Sequence, residues 1–304
     1  TAVTKKKIKR CKEDVVFDAA CFIILTLVLF VVAYPLYWVI ISSISAPSAV
    51  SSGKVLLHPI GFTLKGYAEV FKNDQVMRGF LNSLIITFCG VMVNLIVTLP
   101  TSYALSRSNF SGKKPITIFY LITMFFGGGL IPTYLVIQRL QMLNTIWALI
   151  LPGCLSVYNM IVARTFFKSN ISEELYEAAE IDGCTQARFF FQIALPLSKA
   201  IIAILVLYYG VGHWNSYFSA LVYISDKAKY PLQLVLRNIL ITNQTALSQT
   251  ATTAAARAAL QEKQQLIDVM KYSLIIISSI PVLVMYPLVQ KHFVKGVMIG
   301  SMKG

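Results

Sequence analysis

The sequence predicts an all-α integral membrane protein with six transmembrane helices and both termini on the cytoplasmic side. Three observations carry this prediction. Apolar runs of about 20 residues, the length that crosses a bilayer, recur along the chain. Only 13% of the 304 residues are charged, against about 25% in an average soluble domain. The cations Lys5, Lys6, Lys7, Lys9, Arg10 and Lys12 stand directly before the first apolar run, as expected of a segment kept in the cytoplasm.

That placement also explains the net charge of +14 without a nucleic-acid partner, and suits attraction to anionic membrane lipid. The basic N-terminus covers residues 1–14. Spans are expected over residues 15–44, 82–105, 115–138, 145–167, 200–223 and 272–290. A charged side chain at a bilayer centre costs about 2.5–3.5 kcal/mol, and none occupies the middle of any run; Asp18 and Arg164 lie near ends. The first run far exceeds the signal-peptide core of about 7–15 residues, so it is expected to remain as a helix. With the N-terminus inside, Arg107, Lys113, Lys114, Lys168, Arg188, Lys199 and Lys291 also fall inside. Lys54, Lys65, Lys72 and Arg78 fall outside. The five cysteines show no paired spacing and imply neither a disulfide framework nor a zinc site.

Two external segments are expected, 45–81 and 224–271. In the first, Thr63 is placed to cap a short amphipathic helix presenting Leu64, Tyr67, Ala68 and Phe71 on one side. The second holds a Thr/Ala-rich stretch, 245–259, and an alanine-rich helix is expected from Thr253 to Asp268. Gly127-Gly128-Gly129 and Pro132 interrupt the third run. Close approach of another helix is the favoured reading of these glycines, and a bend lining a transport path the alternative.

The loop 168–199 is a long polar segment of acids, small residues and a glycine set between apolar runs on the inside. Ser172 is a good N-cap, and Glu173 and Glu174 complement the helix dipole. Glu173, Glu177 and Glu180 share one face, with Leu175, Ala178 and Ala179 on an adjoining side. Gly183 ends the helix, Thr185 starts a second one carrying Phe189 to Phe191, and Pro196 marks re-entry.

Glu177-Ala178-Ala179, three residues, Gly183, nine residues, then Ile193-x-Leu195-Pro196 resembles the "EAA" signature of ABC importer permeases. Pro59 to Tyr67 with Asn82-Ser83-Leu84, His213-Trp214-Asn215-Ser216-Tyr217-Phe218, and the tail 290–304 resemble the carbohydrate-uptake, maltose-type subunits. Phe125 to Tyr134 is similar to the polysaccharide, multiple-sugar and lipoprotein-type branch. The Thr/Ala-rich segment departs from that pattern.

The resemblance implies a type I ABC importer architecture. A second homologous permease, two ABC ATPase subunits holding ATP and Mg, and an extracytoplasmic substrate-binding protein would complete the complex in a bacterial cell membrane. Glu174, Glu177, Ala178, Ala179, Asp182 and Gly183 would form the cytoplasmic coupling helix seated on the ATPase. In the tail 291–304, Lys295, Gly296, Lys303 and Gly304 would contact the ATPase dimer. Tyr209, His213, Trp214, Asn215 and Tyr217 offer aromatic faces and hydrogen-bonding groups to a sugar, an oligosaccharide by this reading; packing between helices is the other role open to them. The alternatives are an importer for a non-sugar solute and a stand-alone secondary transporter. The chain has no G-x-x-x-x-G-K-[ST], so it is expected to bind no nucleotide itself and to have no catalytic site. His58, His213 and His292 show no metal spacing.

Overall fold

The computed structural model describes residues 12–245 and 254–301. All regular structure among them is helical, with no strand. The helices are α1 (Lys12–Ser43), α2 (Pro47–Ser51), α3 (Lys65–Lys72), α4 (Asp74–Ser106), α5 (Lys113–Phe125), α6 (Leu130–Arg139), α7 (Trp147–Ile150), α8 (Val157–Asn170), α9 (Glu173–Ile181), α10 (Gln186–Phe189), α11 (Leu195–Leu197), α12 (Lys199–Trp214), α13 (Phe218–Tyr223), α14 (Leu232–Thr245) and α15 (Ala254–Ser301). Three helices, within α1, α4 and α15, are long and apolar enough to cross a membrane, and counting each of three bent helix pairs as one span brings the number to six.

The bends are the main departure from the expected spans. The run 115–138 is α5 and α6, which meet at 113° across Gly127–Gly129. Gly129 has φ +84°, and no described atom lies within 4 Å of a Cβ built on Gly127 or Gly129. The glycines break the helix here instead of admitting a neighbour. The run 145–167 is α7, a 3-10 turn (Leu151–Gly153) and α8, bent by 51°. The run 200–223 stops at Trp214 and resumes in α13 after Asn215-Ser216-Tyr217. The segment before it, Gln186–Leu197, meets α12 at 80°.

Other boundaries move outward. The second span begins at Asp74, not 82, because Asn73 Oδ1 accepts from the Gln75 and Val76 amides and starts the helix there. The sixth is one helix from Ala254 to Ser301, which joins the alanine-rich helix to residues 272–290. α14 lies in a segment where no helix was expected. Residues 246–253, most of the Thr/Ala-rich stretch, lie outside the described residues.

Two compact units divide the chain. One holds residues 12–69 with 254–276. Its core is Ile41, Ala49, Val50, Val55 and Val269, with Trp38 set edge-on to Tyr272 at 5.1 Å. Thr63 Oγ1 accepts from the Lys65 amide at the start of α3. The buried residue of α3 in this unit is Gly66, while Leu64 and Ala68 are exposed and Tyr67 half-buried, so the expected amphipathic side is not the packed one. A Cβ on Gly66 would meet Ser273 Oγ at 2.5 Å and Val269 Cγ1 at 2.8 Å, so α3 crosses α15 at the one residue with no side chain.

The other unit holds residues 70–245 with 277–301 and is built around α4. Ser83, Gly90, Asn94, Thr98 and Ser102 form a buried small and polar stripe along α4, at spacings of seven and four that keep them on one side. Lipid is as apolar as leucine, so membrane helices associate through close packing and interhelical hydrogen bonds. The stripe supplies both. Ser83 Oγ accepts from the Leu232 amide at 2.8 Å, and Ser102 Oγ donates to Met160 O at 3.0 Å.

Candidate functional site

The loop between α8 and α12 is held by caps the sequence encodes. Ser172 Oγ accepts from the Leu175 amide and Thr185 Oγ1 from the Arg188 amide, each at 3.3 Å. Gly183 has φ +76°. Its amide donates to Glu180 O and the Cys184 amide to Ala179 O, at 3.0 and 2.9 Å, a Schellman closure of α9. A π-helical turn, Phe190–Ala194, then leads into α11.

α9 has a buried side and a bare side. Tyr176 is buried and Ala179 packs partly into the core formed by Tyr103, Phe167, Phe189 and Phe190. Glu174, Glu177, Ala178 and Ile181 are exposed at i, i+3, i+4 and i+7, one stripe of the helix. Ile181 is 87% exposed, an apolar tip standing beside Glu177, Asp182 and Gly183. The expected grouping changes in two places. The paired alanines are split, Ala178 outward and Ala179 inward, because the 100° step between neighbours puts only one on the packed side. Glu173 does not share an outward face with Glu177 and Glu180.

Glu173 instead turns toward the α4–α5 connection. Its carboxylate pairs with the Arg107 guanidinium at 3.3 Å and accepts from Ser108 Oγ. Arg107 is buried, its guanidinium carbon 3.9 Å over the Tyr176 ring and 5.9 Å from the Tyr103 ring. Lys113 Nζ donates to Arg107 O and Ser108 O at 3.3 and 2.9 Å. A cavity of about 290 Å³ lies alongside, lined by residues including Tyr103, Arg107, Tyr176 and Phe190. Sequence reading took Arg107 only as an inside cation. A tyrosine four residues before it was the available signal, and its partner Tyr176 is brought close only by the fold.

The positions expected to meet a sugar divide. Trp214 is buried, its Nε1–H donating to Ser278 O at 2.8 Å and its ring edge-on to Phe80. Tyr209 is buried, with its hydroxyl 2.7 Å from Thr98 Oγ1 and accepting from the Ser156 amide at 3.2 Å. Asn94 Nδ2 donates to Gly153 O, and Asn94 Oδ1 lies 2.7 Å from His213 Nε2; because that oxygen only accepts, His213 carries the proton on Nε2. Tyr209 and Asn94 thus satisfy the backbone groups that the break between α7 and α8 frees, a requirement of any interrupted membrane helix. Asn215 and Tyr217 are exposed. Lys295 and Gly296 lie in α15, whose backbone alone is described there, and Lys303 and Gly304 lie outside the described residues.

No family model matches the sequence. Over 288 residues, 95% of this chain and 98% of the relative, it is 36% identical to the polygalacturonan/rhamnogalacturonan transport system permease protein YtcP of Bacillus subtilis (strain 168). A crystal structure of a bacterial ABC transporter involved in importing the acidic polysaccharide alginate contains a chain that superposes with TM-score 0.84 at 27% identity, covering 94% of this chain and 100% of that one. The chain belongs to the sugar ABC-importer permeases. Protein LplC of B. subtilis (strain 168) is 38% identical over 293 residues, 96% of this chain and 97% of the relative. The exposed stripe of α9 overlaps the signature at Glu177 and Ala178, while Ala179 of the same signature packs inward.

Proposed function

We propose that this permease imports an oligosaccharide bearing uronic acids, drawing on ATP hydrolysed by partner subunits that seat on the exposed stripe of α9. The observation that carries the coupling role is the two-sidedness of α9. Tyr176 and Ala179 fix it to the core, while Glu174, Glu177, Ala178 and Ile181 stand free. A helix held rigidly on one side and bare on the other can be pushed as a unit. In this reading all six spans cross a bacterial cell membrane with both termini in the cytoplasm. A second permease subunit pairs with this one, two ABC ATPases bind ATP and Mg beneath it, and an external binding protein delivers the sugar. Closure of the ATPases rocks the helices between inward-open and outward-open states.

The acidic character of the substrate rests on the polygalacturonan and alginate relatives. Asn215 and Tyr217, exposed at the break between α12 and α13, are the residues of the expected path free to touch it; Tyr209, His213 and Trp214 are engaged in packing and hydrogen bonds.

The test is ATP hydrolysis by the reconstituted complex with its binding protein. Oligogalacturonides are expected to stimulate it and neutral galactooligosaccharides not to. Glu177→Lys is expected to abolish stimulation while the subunits still co-purify. Stimulation that survives Glu177→Lys overturns the coupling role, and stimulation by the neutral sugar alone overturns the substrate class.

A further inference from the structure

The segment between Gly53 and Gly61 folds back along the outer end of α1. Both glycines take left-handed backbone, φ +68° and +65°, so each reverses the chain. The base of the excursion is clasped: the Ala46 amide donates to Ile60 O and the Thr63 amide to Ile44 O, both at 2.9 Å, and the Ile60 amide to Ser45 Oγ at 3.2 Å. At the tip, three successive carbonyls are taken by aromatic side chains of α1. Trp38 Nε1 donates to Val55 O at 2.8 Å, Tyr37 OH to Leu57 O at 2.6 Å and Tyr34 OH to Leu56 O at 3.4 Å. Val55 is buried in the unit's core, yet Leu56 and Leu57 are 60% and 68% exposed.

Depth follows from the helix. With a rise of about 1.5 Å per residue, Tyr34 sits about 13 Å before Ser43 along α1. A hydrocarbon layer needs about 20 residues, so a layer whose inner edge is at Asp18 has its outer edge near Trp38. On that placement the tip of the excursion lies at or inside the outer hydrocarbon boundary. Irregular backbone at that depth must have its polar groups satisfied by protein, and the three aromatic donors do this for the tip carbonyls. Tyr and Trp are the side chains that prefer this level of a bilayer. Leu56 and Leu57 extend the apolar surface of α1, where Leu29, Phe30, Val31 and Val32 are likewise exposed. Lys54 and His58, both exposed, bracket the two leucines and reach the headgroup layer by snorkelling.

We propose that residues 54–58 are a lipid-inserted hook, with Leu56 and Leu57 in the acyl chains of the outer leaflet. It would anchor the external α2–α3 segment to the membrane surface independently of any partner subunit.

The test places a nitroxide at Leu57→Cys, in a chain whose five cysteines are replaced by serine, in the reconstituted complex. Collision with oxygen is expected to exceed collision with an aqueous nickel chelate several-fold, and the order to reverse at the control Ser52→Cys. Higher nickel access at 57 overturns the hook in favour of a solvated loop, and low access to both reagents overturns it in favour of a protein partner. A second measurement keeps the native cysteines. A photo-reactive benzophenone amino acid at position 57 in membranes is expected to give a phospholipid adduct, as the same group does at Leu29. A cross-linked protein band, or no adduct while Leu29 gives one, overturns the proposal.

Discussion

Replacing Arg107 by alanine is expected to loosen α9 from the body of the permease without unfolding it. The guanidinium makes two contacts that the substitution removes. Stacking on Tyr176 at 3.9 Å, away from bulk water, is worth about 1–2 kcal/mol. The ion pair with Glu173 joins side chains 11% and 39% exposed; Glu173 rehydrates when its partner leaves, so the pair is set near the surface value, about 1 kcal/mol at most. The sum, about 1–3 kcal/mol, is roughly a 5- to 100-fold change in the opening equilibrium at about 1.4 kcal/mol per decade. Hydrogen exchange on the lipid-reconstituted complex reads this directly. Amides from Tyr176 to Ile181 should lose that much protection while those of α4 keep theirs. Arg107→Lys, which keeps charge but not a planar ring-stacking group, should fall between. Exchange in the alanine variant within threefold of the parent would refute the view that Arg107 fastens α9.

Two further substitutions test the packing. Gly66→Ala pushes a methyl into Ser273 Oγ and Val269 Cγ1 and should cost about 1–3 kcal/mol, seen as a lower melting temperature of the purified complex. Trp214→Phe keeps a ring against Phe80 but removes the donor to Ser278 O, a loss of about 1 kcal/mol; the melting temperature should drop while the transport KM stays at the parent value, and a raised KM would return Trp214 to the substrate path.

What could be read from the sequence was what depends on neighbours in the chain. The Ser172 and Thr185 caps and the Gly183 turn are local chemistry, and each stands where the pattern put it; the apolar runs are helical, but their breaks and ends differ from the expected bounds. The bend at Gly127–Gly129 was open as an alternative because glycines mark it locally, but the break between α7 and α8 was not read, and it is held by distant side chains. Pro152-Gly153 is a local breaker within 145–167, but nothing there names what satisfies Gly153 O and the Ser156 amide, since their partners are Asn94 and Tyr209. The same holds for Glu173: periodicity put it beside Glu177, and its removal from that face depends on Arg107, 66 positions earlier in the sequence. The stripe Ser83, Gly90, Asn94, Thr98, Ser102 was not read from the sequence; its residues are small and polar in an apolar run, and the fold supplies their partners. Length misled at the sixth span, where an alanine-rich helix and an apolar run proved continuous through Asp268 and Lys271. That pair is joined at 2.9 Å and lets a charged turn continue the helix.

Asn94 is where these observations meet, and its replacement separates a polar joint from ordinary packing. It bonds both Gly153 O at the break and His213 on α12, so Asn94→Leu strands two groups at once. Interhelical hydrogen bonds in membrane proteins are worth about 0.6 kcal/mol on average and at most about 1.7, which gives about 1–3 kcal/mol for the pair. His213→Leu strands only the Asn94 oxygen and should cost less. In the double variant His213 no longer needs a partner, so the two losses should sum to more than the observed total. The coupling from such a cycle, measured by unfolding of the purified complex, should favour the pair by about 0.5–1.5 kcal/mol. Strict additivity would mean that His213 and Asn94 each pack well without the other, and that the bond between them adds nothing to the joint of α4 with α12.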